Sequence, residues 1–245
     1  LKPDPTRTKL MRIQYSRQIV KLYKRFKKQV TPLLVKQVLS ETGRFRSFTD
    51  DINNYIENQT RYFILDPSKT IIKNNIRRAF NSGKNKAQHE LVPYQLGRDM
   101  TPLDWESLIM LQDISFNRIK DCTLNMQNAI TYSCSKGVLE GWGAEKIARE
   151  IRNNVDGNNN MGIIRAHTIA RTEVINAYNQ SKMNMYKQAG LSQYEWLTAL
   201  DERTCEECVA LDGKVFDIGS GDVPPLHPNC RCCTVPVKEE ILGET

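Results

Sequence analysis

Two short pairs, Cys205-x2-Cys208 and His227-x2-Cys230, are the side chains in this sequence best suited to chemistry. A two-residue spacer lets the chain turn back so that both members of a pair meet one ion, at about 2.3 Å for sulfur and about 2.0 to 2.1 Å for imidazole nitrogen. Two such pairs fill a tetrahedral shell, so the spacing predicts a structural Zn²⁺ held by Cys205, Cys208, His227 and Cys230. With all positions taken by protein, nothing is left for the activated water of a hydrolytic zinc centre.

A disulfide staple and a redox C-x2-C are the competing readings of the same thiols. A redox pair normally sits in a βαβ setting without a second Cys/His pair, and no export segment is recognisable at the N-terminus, so the thiols are expected to stay reduced. Cys232 and Cys233 follow closely and compete for a place in the shell. Along a strand, alternation aims Cys230 and Cys232 at one face and Cys233 at the other, which makes Cys232 the main rival. Asp201, Glu202 and Glu206 lie near the first pair, but carboxylates compete poorly with thiolates here.

Short strands must position these pairs. After Gly190 the apolar period becomes two: Tyr194, Trp196 and Thr198 alternate, Asp212-Gly213 reads as a hairpin turn, and Lys214 to Asp217 and Cys232 to Val237 supply two more strands. A sheet this small has little core, which is where metal binding contributes folding free energy.

The sequence before Gly190 reads as helix. Met11, Tyr15, Ile19, Tyr23, Phe26 and Val30 recur at helical steps, and Thr31-Pro32 is expected to interrupt or kink that helix. Thr49 reads as the cap of a helix carrying Ile52, Tyr55, Ile56 and Phe63. Asp66-Pro67 reads as a new start, with Gly83 as the stop and Ser82 to Gly97 as a connector. Thr101-Pro102 opens a long helix striped by Leu108, Leu111, Ser115, Ile119, Cys122, Met126, Ala129 and Ser133, closed by Gly141-Trp142-Gly143. A short helix from Ala144 to Ile151 and a Gly/Asn-rich loop from Asn153 to Asn160 follow. The last helix runs from about Ile163 to Ala189, with a small stripe of Ala166, Ala170, Glu173 and Ala177 that admits a close neighbour. The fold class is therefore mainly α with a small C-terminal α+β module. It divides into a basic helical arm and helical region over 1–98, a long-helix core over 99–190, and a β-rich zinc-binding module over 191–245.

Charge is unevenly placed. Residues 1–30 hold ten Lys/Arg against one acid, Asp4, a formal +9, and the rest of the chain carries −2. Such a block suits a polyanion or an acidic protein groove, with Arg12, Arg17, Lys21, Lys24, Arg25, Lys27 and Lys28 as candidate contacts. A solvated helix face accounts for the same charges. A mean hydropathy of −0.52 and the lack of an apolar run of about 18 residues argue against a membrane span.

Catalytic signals are missing. No P-loop, G-x-S-x-G, H-E-x-x-H or dinucleotide fingerprint is present, and His89 has no partner at a useful spacing. Arg171-Thr172-Glu173 reads as a local ion pair or as hydrogen bonds to the following sheet, and Cys122 and Cys134 as inert buried thiols. The chain is not expected to be an enzyme.

Ordered blocks carry a family resemblance: I-A-R-T-E-V-I-N-A-Y-N at 169–179, W-L-T-A-L-D-E-R-T-C-E-E-C at 196–208, L-D-G-K-V-F at 211–216 and P-P-L-H-P-N-C-R-C at 224–232. Over about residues 140–237 the chain resembles the phage Mu F-like minor head proteins of the phage head morphogenesis family. The resemblance maps onto Arg171, Thr172, Glu173, Asp201, Arg203, Thr204, Cys205, Cys208, Gly213, His227, Cys230, Arg231 and Cys232, with Cys233 outside the pattern. It implies a minor virion component inside the capsid near the portal, made in the host cytoplasm. Its expected partners are the portal, other capsid proteins and packaged double-stranded DNA, and its expected work is head assembly, DNA packaging or delivery. Two other readings stay open at this point: a phage-associated nuclease or ADP-ribosyltransferase-like enzyme, and a free zinc-containing DNA-binding protein.

Overall fold

Proline and glycine, the usual punctuation of helices, set few boundaries in this protein. The computed structural model describes residues 4–40, 45–96, 104–156 and 162–237. Its elements are α1 (Lys9–Ser40), α2 (Phe45–Thr60), α3 (Asp66–Leu91), α4 (Trp105–Leu139), α5 (Ala144–Asp156), α6 (Ile163–Gln188), β1 (Gln193–Leu197), α7 (Glu206–Leu211), β2 (Val215–Asp217) and β3 (Cys233–Pro236). The mainly α architecture with a small antiparallel sheet near the C-terminus is the one read from the sequence. No helix among the described residues is long and apolar enough to cross a membrane.

The chain forms two compact units from interleaved segments, 16–72 with 114–169, and 1–15 with 73–113 and 170–245. The boundaries between the units fall inside α1, α3, α4 and α6, so no loop composition marks them.

In the first unit the α1 stripe runs straight through Pro32: Ile19, Tyr23, Phe26, Val30, Leu34 and Val38 are all buried. Pro32 therefore does not interrupt the helix. The carbonyl it leaves unbonded belongs to Lys28, and both residues lie on the exposed face, where burying an unpaired carbonyl is avoided. α3 does begin at Asp66, but it continues from a preceding helical turn and not from a free cap. A π-helical turn over Arg61–Leu65 joins α2 to α3, with the Asp66 N–H bonded to the Arg61 carbonyl. The wider turn relieves the clash that Pro67 would have with the carbonyl four residues back. Ile147, Ile151 and Val155 form the buried face of α5, which extends to Asp156 because Asn154 is itself buried. Its amide donates to the Ala129 carbonyl, Ser133 Oγ and the Glu150 carbonyl at 3.3, 3.0 and 3.0 Å. The rest of the expected 153–160 loop, the Thr101-Pro102 start and the Thr49 side chain lie outside the described residues.

In the second unit Gly83 is an interior residue of α3, and the expected connector from Ser82 is helical to Leu91. A Cβ at Gly83 would lie 2.1 Å from the Tyr178 carbonyl oxygen of α6, so glycine serves helix contact rather than helix termination. Gly190, at φ +82°, does end α6, and the Leu191 N–H closes back on the Tyr186 carbonyl at 3.1 Å. The sheet order is β2-β1-β3, with Trp196 paired to Thr234 and Tyr194 to Phe216.

Strand β3 is an edge, and α6 covers it. Asn179 donates to the Cys232 carbonyl at 3.1 Å and accepts from the Thr234 N–H at 3.3 Å. Lys182, fully buried, donates to the Thr234 carbonyl at 2.5 Å and pairs with Glu90 of α3 at 2.9 Å. Tyr186 donates to the same Glu90 carboxylate at 2.5 Å. These polar side chains satisfy backbone groups that an edge strand would otherwise leave open.

Candidate metal centre

The first knuckle is built on a turn that ends at Cys205. Thr204 N–H donates to the Asp201 carbonyl at 2.9 Å, and Cys205, extended at φ −73° and ψ 160°, is the N-cap of α7. Its Sγ accepts the Cys208 N–H at 3.4 Å, which fixes one sulfur above the first turn of the helix. The second knuckle closes through the Cys230 N–H on the His227 carbonyl at 3.2 Å, with Asn229 at φ +63°, a conformation asparagine tolerates better than most residues. The Asn229 N–H donates to Thr172 Oγ1 of α6 at 3.1 Å, so the Arg171-Thr172-Glu173 segment supplies a hydrogen bond to the knuckle.

These turns bring five donors into one pocket. Cys205 Sγ and Cys208 Sγ lie 3.1 and 3.2 Å from His227 Nε2, and Cys208 Sγ lies 3.9 Å from Cys230 Sγ. Cys205, Cys208 and His227 form one group, and Cys208, Cys230 and Cys232 another, with donor atoms within 4.8 Å of one another in each. The four ligands expected from spacing thus span two groups that share Cys208, and Cys232, the expected rival, joins the second. Cys233 belongs to neither and is buried in β3.

The donor set fits a metal ion. A tetrahedron on bonds of about 2.3 Å to sulfur and about 2.0 to 2.1 Å to nitrogen has edges of roughly 3.8 Å between sulfurs and roughly 3.6 Å from sulfur to nitrogen. The three closest spacings lie within about half an ångström of these, while the two donor groups meet only at Cys208. The pocket holds about 10 Å³ of free space, room for a single ion-sized sphere. His227 Nδ1 lies 2.9 Å from the Pro228 carbonyl, and donation there leaves Nε2 facing the thiols with its lone pair. Trp196, fully buried, packs with Cys208, Cys230 and Cys232 and closes the pocket from the sheet side.

The pocket also sorts its protons. The Cys208 N–H lowers the Cys205 thiol, and the Cys232 thiol, hydrogen-bonded to Cys230, lowers Cys230 to about 5. Burial pushes Cys208 up to about 12, and the bond to Cys230 holds Cys232 far above its ordinary value. Burial opposes a charged His227, but the Pro228 carbonyl and the Cys230 and Cys205 sulfurs outweigh it and raise the imidazole. A dication entering this site would displace the shared protons. All seven cysteines are unbridged.

The family comparison fits this region. Residues 128–235, from within α4 to β3, match the family model described as Phage Mu protein F like protein. Over residues 128–235 the chain is similar to the Phage Mu F-like family. The F-like segment contains all five donors, and its family is one of phage head morphogenesis. A 77-residue stretch is 31% identical to an uncharacterized protein of Haemophilus influenzae, covering 30% of this chain and 17% of that protein. The chain therefore matches only a small part of that relative's length. No solved structure matches the chain.

The other sequence candidates have different surroundings. Arg17, Lys21, Lys24, Arg25 and Lys28 are exposed on α1, and Lys27 pairs with Asp156 at 2.5 Å. Arg12 is paired with Asp4 and largely buried. Burial, then Arg231, Arg171 and Arg203, lowers its guanidinium to about 10. Cys122 and Cys134 are buried and raised by that burial, Cys134 to about 12. Sequence spacing gave no sign of the hydrogen bond between Ser16 Oγ and His167 Nδ1. Ser16 is completely buried, whereas His167 is half-buried. Asn179, Lys182 and Glu90 were also missed, although Asn179 ends the quoted I-A-R-T-E string.

Proposed function

We propose that this protein is a minor head protein of a tailed phage that binds the portal inside the capsid and aids head assembly, DNA packaging or DNA delivery. The Phage Mu F-like match over residues 128–235 carries this reading. The exposed cations of α1 support a polyanionic or acidic partner, either packaged double-stranded DNA or the portal. In this reading the protein is not an enzyme, and it acts in the virion after assembly in the host cytoplasm.

The Cys/His centre holds a structural Zn²⁺. A donor set of thiolates with one imidazole favours zinc over hard cations, and Cys208, Cys230 and Cys232 are buried. The ion would join the two knuckles and so stiffen a three-stranded sheet too small to support itself. Co-purification with the portal ring is the test of the assembly role: a retained complex is expected, and a protein that stays monodisperse and unbound at low salt overturns it. Elemental analysis of the purified chain tests the metal.

A further inference from the structure

The pocket has one donor more than a closed tetrahedron needs. Cys205, Cys208 and His227 form its compact part, with both sulfurs within 3.2 Å of Nε2, and they account for three positions. Two thiols compete for the fourth. Cys230 and Cys232 are each 2% exposed, and both belong to the group that shares Cys208.

The backbone between them is held at several points. Cys230 closes the knuckle turn on His227, the Arg231 guanidinium is fixed to Asp201 at 2.6 and 2.5 Å, and the Cys232 carbonyl is held by Asn179 at 3.1 Å. Extended chain puts residues two apart on the same side. Two sulfurs therefore line one pocket from a single short segment.

We infer that Cys230 and Cys232 are alternative fourth ligands of one ion, either of which completes the shell on Cys205, Cys208 and His227. The inference rests on the zinc reading above. It makes the centre tolerant of losing one thiol, and it separates Cys232 from the adjacent Cys233, which lies in neither donor group.

The test uses the full chain loaded with Co²⁺ or ¹¹³Cd²⁺, comparing wild type, Cys230→Ser, Cys232→Ser and the double variant. Metal stoichiometry, the thiolate-to-cobalt absorption and the cadmium chemical shift report the shell directly, and far-UV circular dichroism checks folding. Wild type and both single variants are expected to bind one ion with three sulfurs and one nitrogen, with affinities within about tenfold of one another, a margin at the low end of outer-shell effects. The double variant is expected to drop to two sulfurs and lose affinity by well over 100-fold. Loss of a sulfur from the shell in one single variant assigns a dedicated ligand and overturns the inference, as does binding of two ions or a four-sulfur shell in wild type. A folded wild-type chain that takes up no ion brings down the zinc reading together with the inference, whereas metal lost from a single variant brings down the inference alone.

Discussion

Asp201 and Arg231 meet in a bidentate pair, with guanidinium-to-carboxylate distances of 2.6 and 2.5 Å. Asp201 lies four residues before Cys205, and Arg231 stands between Cys230 and Cys232, so the pair joins the two knuckles without the help of a metal. Asp201 also accepts the Arg203 N–H at 3.1 Å, and its side chain is 5% exposed. The hydrogen bonds from Arg231 hold its carboxyl well below the usual carboxylate range.

Replacing Arg231 with Lys keeps the charge but loses the two-pronged geometry. Metal affinity is expected to fall by about 10-fold or more, as for other groups that position ligands, measured by competition with a chromophoric chelator. Asp201→Asn should also destabilise the protein at neutral pH. A carboxylate whose folded pKa is depressed contributes fully above its unfolded value of about 4, and the contribution fades as pH falls through the folded value. The gap in melting temperature between wild type and Asp201→Asn should therefore be constant near neutrality and narrow below about pH 4.

Metal removal should loosen the sheet and the knuckles. An ion present at about 1,000 times its Kd stabilises the form it binds by about 4 kcal/mol. For a chain of this size that corresponds to a melting shift of about 8 to 16 °C. Trp196, fully buried against Cys208, Cys230 and Cys232, provides the readout. Its emission should move to the red on chelation and return when zinc is restored.

The buried Lys182–Glu90 pair gives a prediction that separates a single from a double substitution. Lys182 has no exposed side-chain surface, whereas Glu90 keeps 13%. Lys182→Ala removes the buried ammonium from the Glu90 carboxylate and the Thr234 carbonyl, leaving Glu90 with Tyr186 and Lys86, and should cost about 3 kcal/mol in urea unfolding. Lys182→Met with Glu90→Gln removes both charges and should recover much of that loss. A double variant as unstable as Lys182→Ala would show that the charge itself is not what matters.

Patterns that depend on local spacing were readable in the sequence. The four-residue rhythm of α1, the stripe of α4, the alternation of Tyr194 and Trp196, and the opposite facing of Cys232 and Cys233 follow from helix and strand periodicity alone. Readings that relied on one residue overruling its neighbours failed. Thr31-Pro32 is expected to interrupt or kink α1; it does not interrupt it, because Val30, Leu34 and Val38 continue the buried stripe across it, and the burial of that stripe outweighs one lost hydrogen bond. Gly83 failed as a stop for a related reason, since a helix contact is a tertiary solution that no single motif encodes, whereas Asp66 does open α3, from a π turn. The donors were legible, but their division into two groups around Cys208 depends on how α6 holds β3 through Asn179, a contact 53 residues apart.

Gly83→Ala tests that helix contact. In an open helix the change would stabilise by about 1 kcal/mol. A Cβ 2.1 Å from the Tyr178 oxygen and 2.9 Å from its carbon cannot be accommodated unless α3 and α6 move apart. Overpacking of this kind costs about 1 to 3 kcal/mol and should exceed the gain, so urea unfolding is expected to show a net loss. A stabilised Gly83→Ala would mean that the two helices are not held this closely.

The exposed cations of α1 make a prediction that depends on where Arg12 sits. If Lys21, Lys24, Arg25 and Lys28 meet phosphates, each contact releases about one counterion. Changing all four to Gln should then lower the slope of log affinity against log salt on duplex DNA by about 3 to 4. Arg12 belongs to a largely buried pair with Asp4, so Arg12→Gln should leave that slope unchanged and lower the melting temperature instead. The same four substitutions distinguish the partners. A flat salt slope for wild-type DNA binding together with loss of portal retention in the four-Gln variant would place the portal, rather than DNA, on this helix face.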